Sequence, residues 1–231
     1  MTLPHKPLAV AAALAAVISI GTAATAQEGS VPPRPVTWVC QGCHGIDGNS
    51  NWPIVPNLGR QNAGYLEQQL NAFRAGPIAS SLEVPAWLRD LVWERPPLPK
   101  DARTGLVAQT FMTGPAHHLR PDELKAASDW YSKQPPPKGR AASPALVEKG
   151  RELFNRGDAA AGVPPCHVCH GKDGQGEGPF PRLAGQNAAY IVNQLVGFVN
   201  GDRPAGSPMH GIAKDLTEDE RQAVAAYLQS L

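Results

Sequence analysis

The chain has little of what most function classes require. Past its first twenty residues no apolar run approaches the length of a membrane-spanning helix. Neither sign of charge dominates, with 21 Lys and Arg against 20 Asp and Glu. That balance gives no footing for nucleic acid or a strongly acidic substrate. Cysteine is held to four residues and methionine to three of 231. All four cysteines fall in two short motifs, so none is left over as a separate nucleophile or ligand.

The motifs are Cys40-Gln41-Gly42-Cys43-His44 and Cys166-His167-Val168-Cys169-His170. C-x-x-C-H is the attachment signature of c-type haem. Each thiol adds to one vinyl group of the porphyrin, and the adjacent histidine lies under the iron as its proximal ligand. The expected covalent attachment residues are therefore Cys40, Cys43, Cys166 and Cys169, with His44 and His170 as proximal ligands and two haem c in all. A zinc ribbon also pairs C-x-x-C motifs, but about 15–20 residues apart, whereas 122 residues separate Cys43 from Cys166. A thioredoxin-like pair needs a βαβ setting, and nothing nearby reads as a strand. Disulfides suit an exported protein, yet leave a histidine directly after both pairs unexplained.

Export is expected from the N-terminus. Lys6 precedes an apolar run of thirteen residues, Leu8 to Ile20, and Ala24-Thr25-Ala26 follows as a small-residue cleavage site. This reads as a secretory signal peptide over residues 1–26, with an uncleaved anchor as the alternative. A periplasmic location suits haem attachment, which in bacteria occurs outside the cytoplasm. The mature chain would start near Gln27 and be soluble or membrane-peripheral. Its roughly 205 residues are enough for two domains of about 100 each. The high counts of Pro (24) and Gly (23) suit loop-rich helical modules wrapped around a cofactor.

The second half repeats the first. Gly45-Ile46-Asp47-Gly48 stands beside Gly171-Lys172-Asp173-Gly174. Pro56-Asn57-Leu58 and Gln61-Asn62 stand beside Pro181-Arg182-Leu183 and Gln186-Asn187. Tyr65, Gln69, Leu70, Phe73 and Gly76 match Tyr190, Gln194, Leu195, Phe198 and Gly201 at a constant spacing of 125. Each copy ends in an acidic-started amphipathic helix, expected near Asp122–Tyr131 and Glu218–Leu228, the second opened by a Thr217/Glu220 capping box. Lys133 to Ser143 is Pro-rich and reads as a stiff linker. Ser143-Pro144 reads as the N-cap and N1 of a helix reaching Asn155. The expected domains are thus 27–132 and 144–231, joined by the linker 133–143.

An electron-transfer haem needs a sixth ligand. Met1 leaves with the signal peptide, so Met112 and Met209 remain, each seven residues before a leucine (Leu119, Leu216). Thioether sulfur favours ferrous iron, and Pro208 is expected to hold Met209 in an extended loop. The alternative for each methionine is a core gap-filler. His117 and His118 could compete with Met112, although a solvated loop is the expectation for that pair. His210 is expected at the surface, and His167 carries no assigned role. Arg60, Arg182, Tyr65 and Tyr190 could contact haem propionates or simply pack.

Two C-x-x-C-H motifs, each followed by P-x-L, Q-N, Y-x3-Q-L-x2-F and a downstream methionine, resemble the dihaem cytochrome c4 family over nearly all of the mature chain. The resemblance implies an all-α fold of two tandem cytochrome c-like domains with neighbouring haems and His/Met ligation. It also implies a periplasmic electron carrier, or the electron-accepting subunit of a dehydrogenase. The partners would be redox proteins: a dehydrogenase, an oxidase or another cytochrome. The implied chemistry is outer-sphere electron transfer with no catalysis. The rival is a dihaem enzyme, peroxidase-like or thiosulfate-oxidising, which would need an open iron position.

The chain departs from that pattern twice. Pro32, Pro33 and Pro35 argue against a first helix in the first domain. Phe73 to Met112 also spans 39 residues where Phe198 to Met209 spans 11. The excess falls in an insert at about 77–104. It is expected either to pack as a short helix near Val84–Trp93 or to serve as a partner-docking surface.

Overall fold

A computed structural model describes residues 31–75, 104–203 and 207–231. Within helix α3 the side chains are described from Phe111 onward. The described residues are helical, with no strand beyond two isolated bridges, Asp158–Val163 and Glu177–Phe180. The all-α expectation is met. A π-helical turn, Val36–Cys40, leads into α1 (Gln41–His44), α2 (Ala63–Ala75), α3 (Thr104–His117) and α4 (Pro121–Lys133). The second half supplies α5 (Pro144–Arg156), α6 (His167–His170), α7 (Ala188–Asn200), α8 (Met209–Asp215) and α9 (Glu218–Ser230). The expected signal peptide and the helix expected near Val84–Trp93 lie outside the described residues. The described residues from Pro32 onward belong to one compact unit.

In the second half the sequence pattern becomes packing through the crossing of α5 and α9. Pro144 opens α5 at the first helical position, where its missing N–H has no helical partner to lose. Ser143 occupies the N-cap, but its side chain makes no capping bond. Gly150, Leu153 and Phe154 form the buried face of α5. At Gly150 a Cβ would come within 2.0 Å of the Ala223 carbonyl oxygen, so only glycine permits this approach of α9. Phe154 then meets Tyr227 with ring centroids 5.5 Å apart. Ile191, Leu195 and Phe198 from α7 close the core together with Val224 and Leu228. Each such fully buried side chain stabilises by roughly 1.5–3 kcal/mol. The expected capping box is complete: Glu220 N–H donates to Thr217 Oγ1 (3.3 Å), and Thr217 N–H donates to Glu220 Oε2 (2.8 Å).

The first half builds a smaller described core from Val36, Leu66, Ala127 and Tyr131, with Cys40, Leu58 and Trp130 packed against it. The expectation that its N-terminal prolines argue against a helix is corrected: they do not exclude helical structure but confine it to a short stretch. Pro33 supplies the carbonyl that accepts from Val36 N–H (2.9 Å) and Thr37 N–H (3.3 Å). Pro35 lies at the opening of the turn, where a proline costs no hydrogen bond. Helix α2 packs against both α3 and α4, and α3 also reaches α7 of the second half.

Between α4 and α5 the chain carries no helix from 134 to 143. It runs along the end of α9, where Arg140 N–H donates to the Gln229 carbonyl at 2.9 Å. The Arg140 guanidinium bonds the side chains of Asn187 and Gln229.

Candidate functional site

Each C-x-x-C-H motif folds as one helical turn, which puts the second cysteine and the histidine on adjacent helical positions. Gly45 and Gly171 end the turns with nearly the same backbone, φ 76°, ψ 157° and φ 81°, ψ 154°. That conformation favours glycine, and it sends the chain away from the histidine identically in both halves. His44 and His170 are buried, at 6% and 7% exposure. The Nδ1 of His44 lies 2.9 Å from the Pro56 carbonyl oxygen, and that of His170 lies 3.0 Å from the Pro181 oxygen. A carbonyl only accepts, so each Nδ1 carries the proton and Nε2 keeps its lone pair. Burial lowers both histidine pKa values, against the opposing effect of the carbonyl bonds, and this favours neutral imidazole.

All four cysteines are free thiols. Burial, then the neighbouring Cys43, pushes the Cys40 thiol up to about 11. Burial is also the main cause that raises Cys166 to about 11. Both are therefore protonated S–H groups near neutral pH, the form that adds across a vinyl group. Among the described residues no three His, Cys, Asp or Glu side chains converge as a metal-ion site, which leaves the zinc reading without support. A haem fits the residues present. Both imidazoles are anchored through Nδ1, which leaves the Nε2 lone pair as the donor, and the thiols are unpaired. Arg182 Nε is also buried without a partner, as an anionic edge group would require. Burial, then the nearby Arg60, holds the Arg182 guanidinium below its usual pKa.

The two methionines are placed differently. Met209 begins α8 and packs, half-buried, against the core that also receives Cys166. Pro208 before it is helical (φ −57°, ψ −22°), so the expected extended ligand loop is instead a helix start. Met112 sits inside α3, half-buried and outside the small first core. Three residues on, Pro115 removes one helical donor from α3. His117 is the half-buried last residue of α3 rather than part of a solvated loop, whereas His118 is exposed. His210 is half-buried, its ring edge-on to Phe198 at 5.6 Å. His167 is half-buried, with Nδ1 unpartnered.

Sequence reading missed the role of the repeated Gln-Asn pairs. Gln61 accepts from Arg182 N–H (2.8 Å) and donates to the Arg182 carbonyl (2.9 Å). Gln186 does the same to Asn57, at 2.8 and 2.9 Å. Asn62 donates to the Phe180 carbonyl (3.0 Å), and Asn187 donates to the Val55 carbonyl (2.6 Å). Residues 57, 61 and 62 are the 125-spaced equivalents of 182, 186 and 187. The two halves therefore meet about a pseudo-two-fold axis, each gripping the loop that carries the other's histidine-anchoring proline. Asn57 extends the contact, donating to the Gly185 carbonyl (3.0 Å) and accepting from Ser50 N–H (2.8 Å). Ser50 Oγ in turn donates to the Cys43 carbonyl at 2.9 Å. Recurrence of Q-N was the only sequence signal for this interface.

Residues 147–231 match the family described as cytochrome c. The cytochrome c4 of Azotobacter vinelandii is 33% identical over 84% of this chain and 84% of its own length. The thiosulfate dehydrogenase electron acceptor of Thiomonas intermedia is 32% identical over 96% of this chain and 91% of its own. Among solved structures, reduced recombinant cytochrome c4 from Pseudomonas stutzeri matches with a TM-score of 0.69 at 31% identity, covering 88% of this chain and all of that one.

Proposed function

The chain belongs to the cytochrome c4 family and is an electron carrier with covalently bound haem c and tandem cytochrome c domains, and from that premise we propose that it holds two haems, one per half. Cys40 and Cys43 would attach the first haem, and Cys166 and Cys169 the second. His44 with Met112, and His170 with Met209, would be the axial ligands. Bound haem supplies an iron that takes up and releases single electrons. The protein's residues do the rest. The Pro56 and Pro181 carbonyls hold each imidazole in one tautomer and orientation. Burial keeps water from the proximal side, and the paired glutamines fix the two halves at one separation. The observation that carries the reading is the repetition of one His–Pro carbonyl geometry in both halves.

The domains would span 27–132 and 144–231, with 133–143 as linker, and an export signal over 1–26 would deliver the chain to the periplasm. Among the described residues no helix is long and apolar enough to cross a membrane. The likeness to the thiosulfate dehydrogenase electron acceptor spans more of this chain than that to cytochrome c4. It favours a dedicated dehydrogenase partner over a free shuttle, with the electron passed on to another redox protein. Expression with haem-attachment machinery tests the cofactor reading. Two haems per chain by alkaline pyridine spectroscopy are expected, falling to one in Cys166→Ala/Cys169→Ala. One haem in the native chain overturns it. Mass determination of exported protein tests residue 27 as the mature start, and a stoichiometric dehydrogenase in native co-purification tests the partner.

A further inference from the structure

The pseudo-two-fold interface contains one strong asymmetry. Arg203 has no counterpart, since the position 125 earlier is Ile78 in the insert. Helix α7 ends in a tight turn, with Gly201 N–H bonded to the Phe198 carbonyl (3.3 Å) and Asp202 N–H bonded to the Gly197 carbonyl (2.9 Å). This turn brings Arg203 back over its own helix. Its guanidinium carbon lies 4.5 Å from the Phe198 ring centre. Nη1 donates to Gln194 Oε1 at 3.0 Å, and Nη2 donates to Gln69 Oε1 and lies 3.4 Å from the Tyr65 hydroxyl. Gln69 and Gln194 are repeat equivalents, so one cation is shared between matching positions of the two halves.

Phe198 has a second neighbour. The His210 ring stands edge-on to it at 5.6 Å, and His210 follows Met209 in sequence. An unbroken series of contacts therefore runs from Tyr65 and Gln69 in the first half, through Arg203 and Phe198, to the start of α8. Among the described residues Arg203 has no ion-pair partner. Its mostly buried charge is met by two amides, a hydroxyl and one aromatic face, an arrangement that depends on geometry and loses much if one member is removed.

We propose that Arg203 is a positioning residue that couples the docking of the first half to iron ligation by Met209 in the second. This rests on the reading of Met209 as an axial ligand. Gln69 holds Arg203 over Phe198, Phe198 fixes His210, and His210 fixes the backbone from which Met209 projects. The guanidinium suits the task because its planar fork reaches two glutamines at once, which an ammonium cannot do with the same geometry.

The test uses the full-length holoprotein and reads the far-red sulfur-to-iron absorption band during alkaline titration, together with the two midpoint potentials. Met209→Ala should remove the second haem's share of the band; retention of the whole band overturns the ligation reading itself. Given that loss, Arg203→Ala and Gln69→Ala should each favour methionine displacement at the second haem about tenfold, lowering the pH of band loss by about one unit. The second haem's potential should fall, and the first haem's band should stay in place. Arg203→Lys should recover part of the effect. Asn71→Ala, exposed on α2 and bonded only within it, should change nothing. Gln69→Ala is decisive because it lies in the other half and remains readable if Arg203→Ala fails to fold. A wild-type titration and potential in Gln69→Ala or Arg203→Ala, with Met209→Ala behaving as stated, overturns the coupling.

Discussion

The two halves hold their histidines almost identically, although the core clusters described behind them differ. The His–Pro carbonyl distances differ by 0.1 Å, at 2.9 and 3.0 Å. Behind His170 stand a described cluster of twelve buried core residues and a close helix crossing, whereas the described cluster behind His44 has four, with Ala116, Leu119 and Leu124 buried outside it, and a short π-turn. The comparison shows that the histidine geometry is local. It needs the motif turn, a glycine exit and a proline carbonyl eleven or twelve residues on. The large core serves stability. In the first half Trp130 Nε1–H reaches the Ile46 carbonyl (2.9 Å) and Tyr131 O–H the Gly45 carbonyl (3.1 Å), so α4 holds the motif loop directly.

Seven substitutions test this comparison. The largest effect is expected from Gly150→Leu, which drives a side chain into the Ala223 backbone and should cost at least about 3 kcal/mol. Thermal melting followed at the haem bands should show the second half's transition fall while the first half's holds. If both fall together, the two halves unfold as one unit. Gln186→Ala and Gln61→Ala each strand a backbone N–H and C=O across the axis, at about 1–3 kcal/mol. Symmetry predicts equal costs in chemical denaturation, and a twofold or larger disparity would break the symmetric description. Thr217→Ala removes the one side-chain cap that accepts a backbone bond in α9, for about 0.5–2 kcal/mol. Arg120→Ala at the start of α4 should cost less, because there the bond runs from Arg120 N–H to Glu123. The smallest effect should be a gain. Arg60 holds φ 60° where its counterpart Gly185 holds 74°, so Arg60→Gly should stabilise by about 0.5–1 kcal/mol. Gly185→Ala should destabilise, since its Cβ would meet the Pro137 carbonyl at 2.7 Å.

Much of this was legible in the chain because the chemistry requires contiguous residues. Two thiols and a histidine must sit within one turn, so the motifs announce the cofactor class, and their repetition announces tandem domains. Helix starts were visible at Pro144 and Thr217 because caps are local. Prolines misled twice, at 33–35 and at 208, since a proline read as a breaker is equally at home in a helix's opening turn. The role of Gln61 and Gln186 could not be read, because a buried amide pairing with a distant backbone leaves no pattern except recurrence. Arg203 was invisible for the opposite reason: it has no repeat partner to draw attention to it.

The amide grip across the axis has one more consequence. Gln61 and Gln186 read only main-chain atoms at positions 182 and 57. That grip leaves the side chains at those positions unspecified; one is an arginine, and the other, Asn57, adds a bond of its own to the Gly185 carbonyl. Where the joint recognises backbone, as at Arg182, the side chain can change without renegotiating the fit between the halves. Two copies of one module can then drift into distinct electrical roles while the distance between them stays fixed.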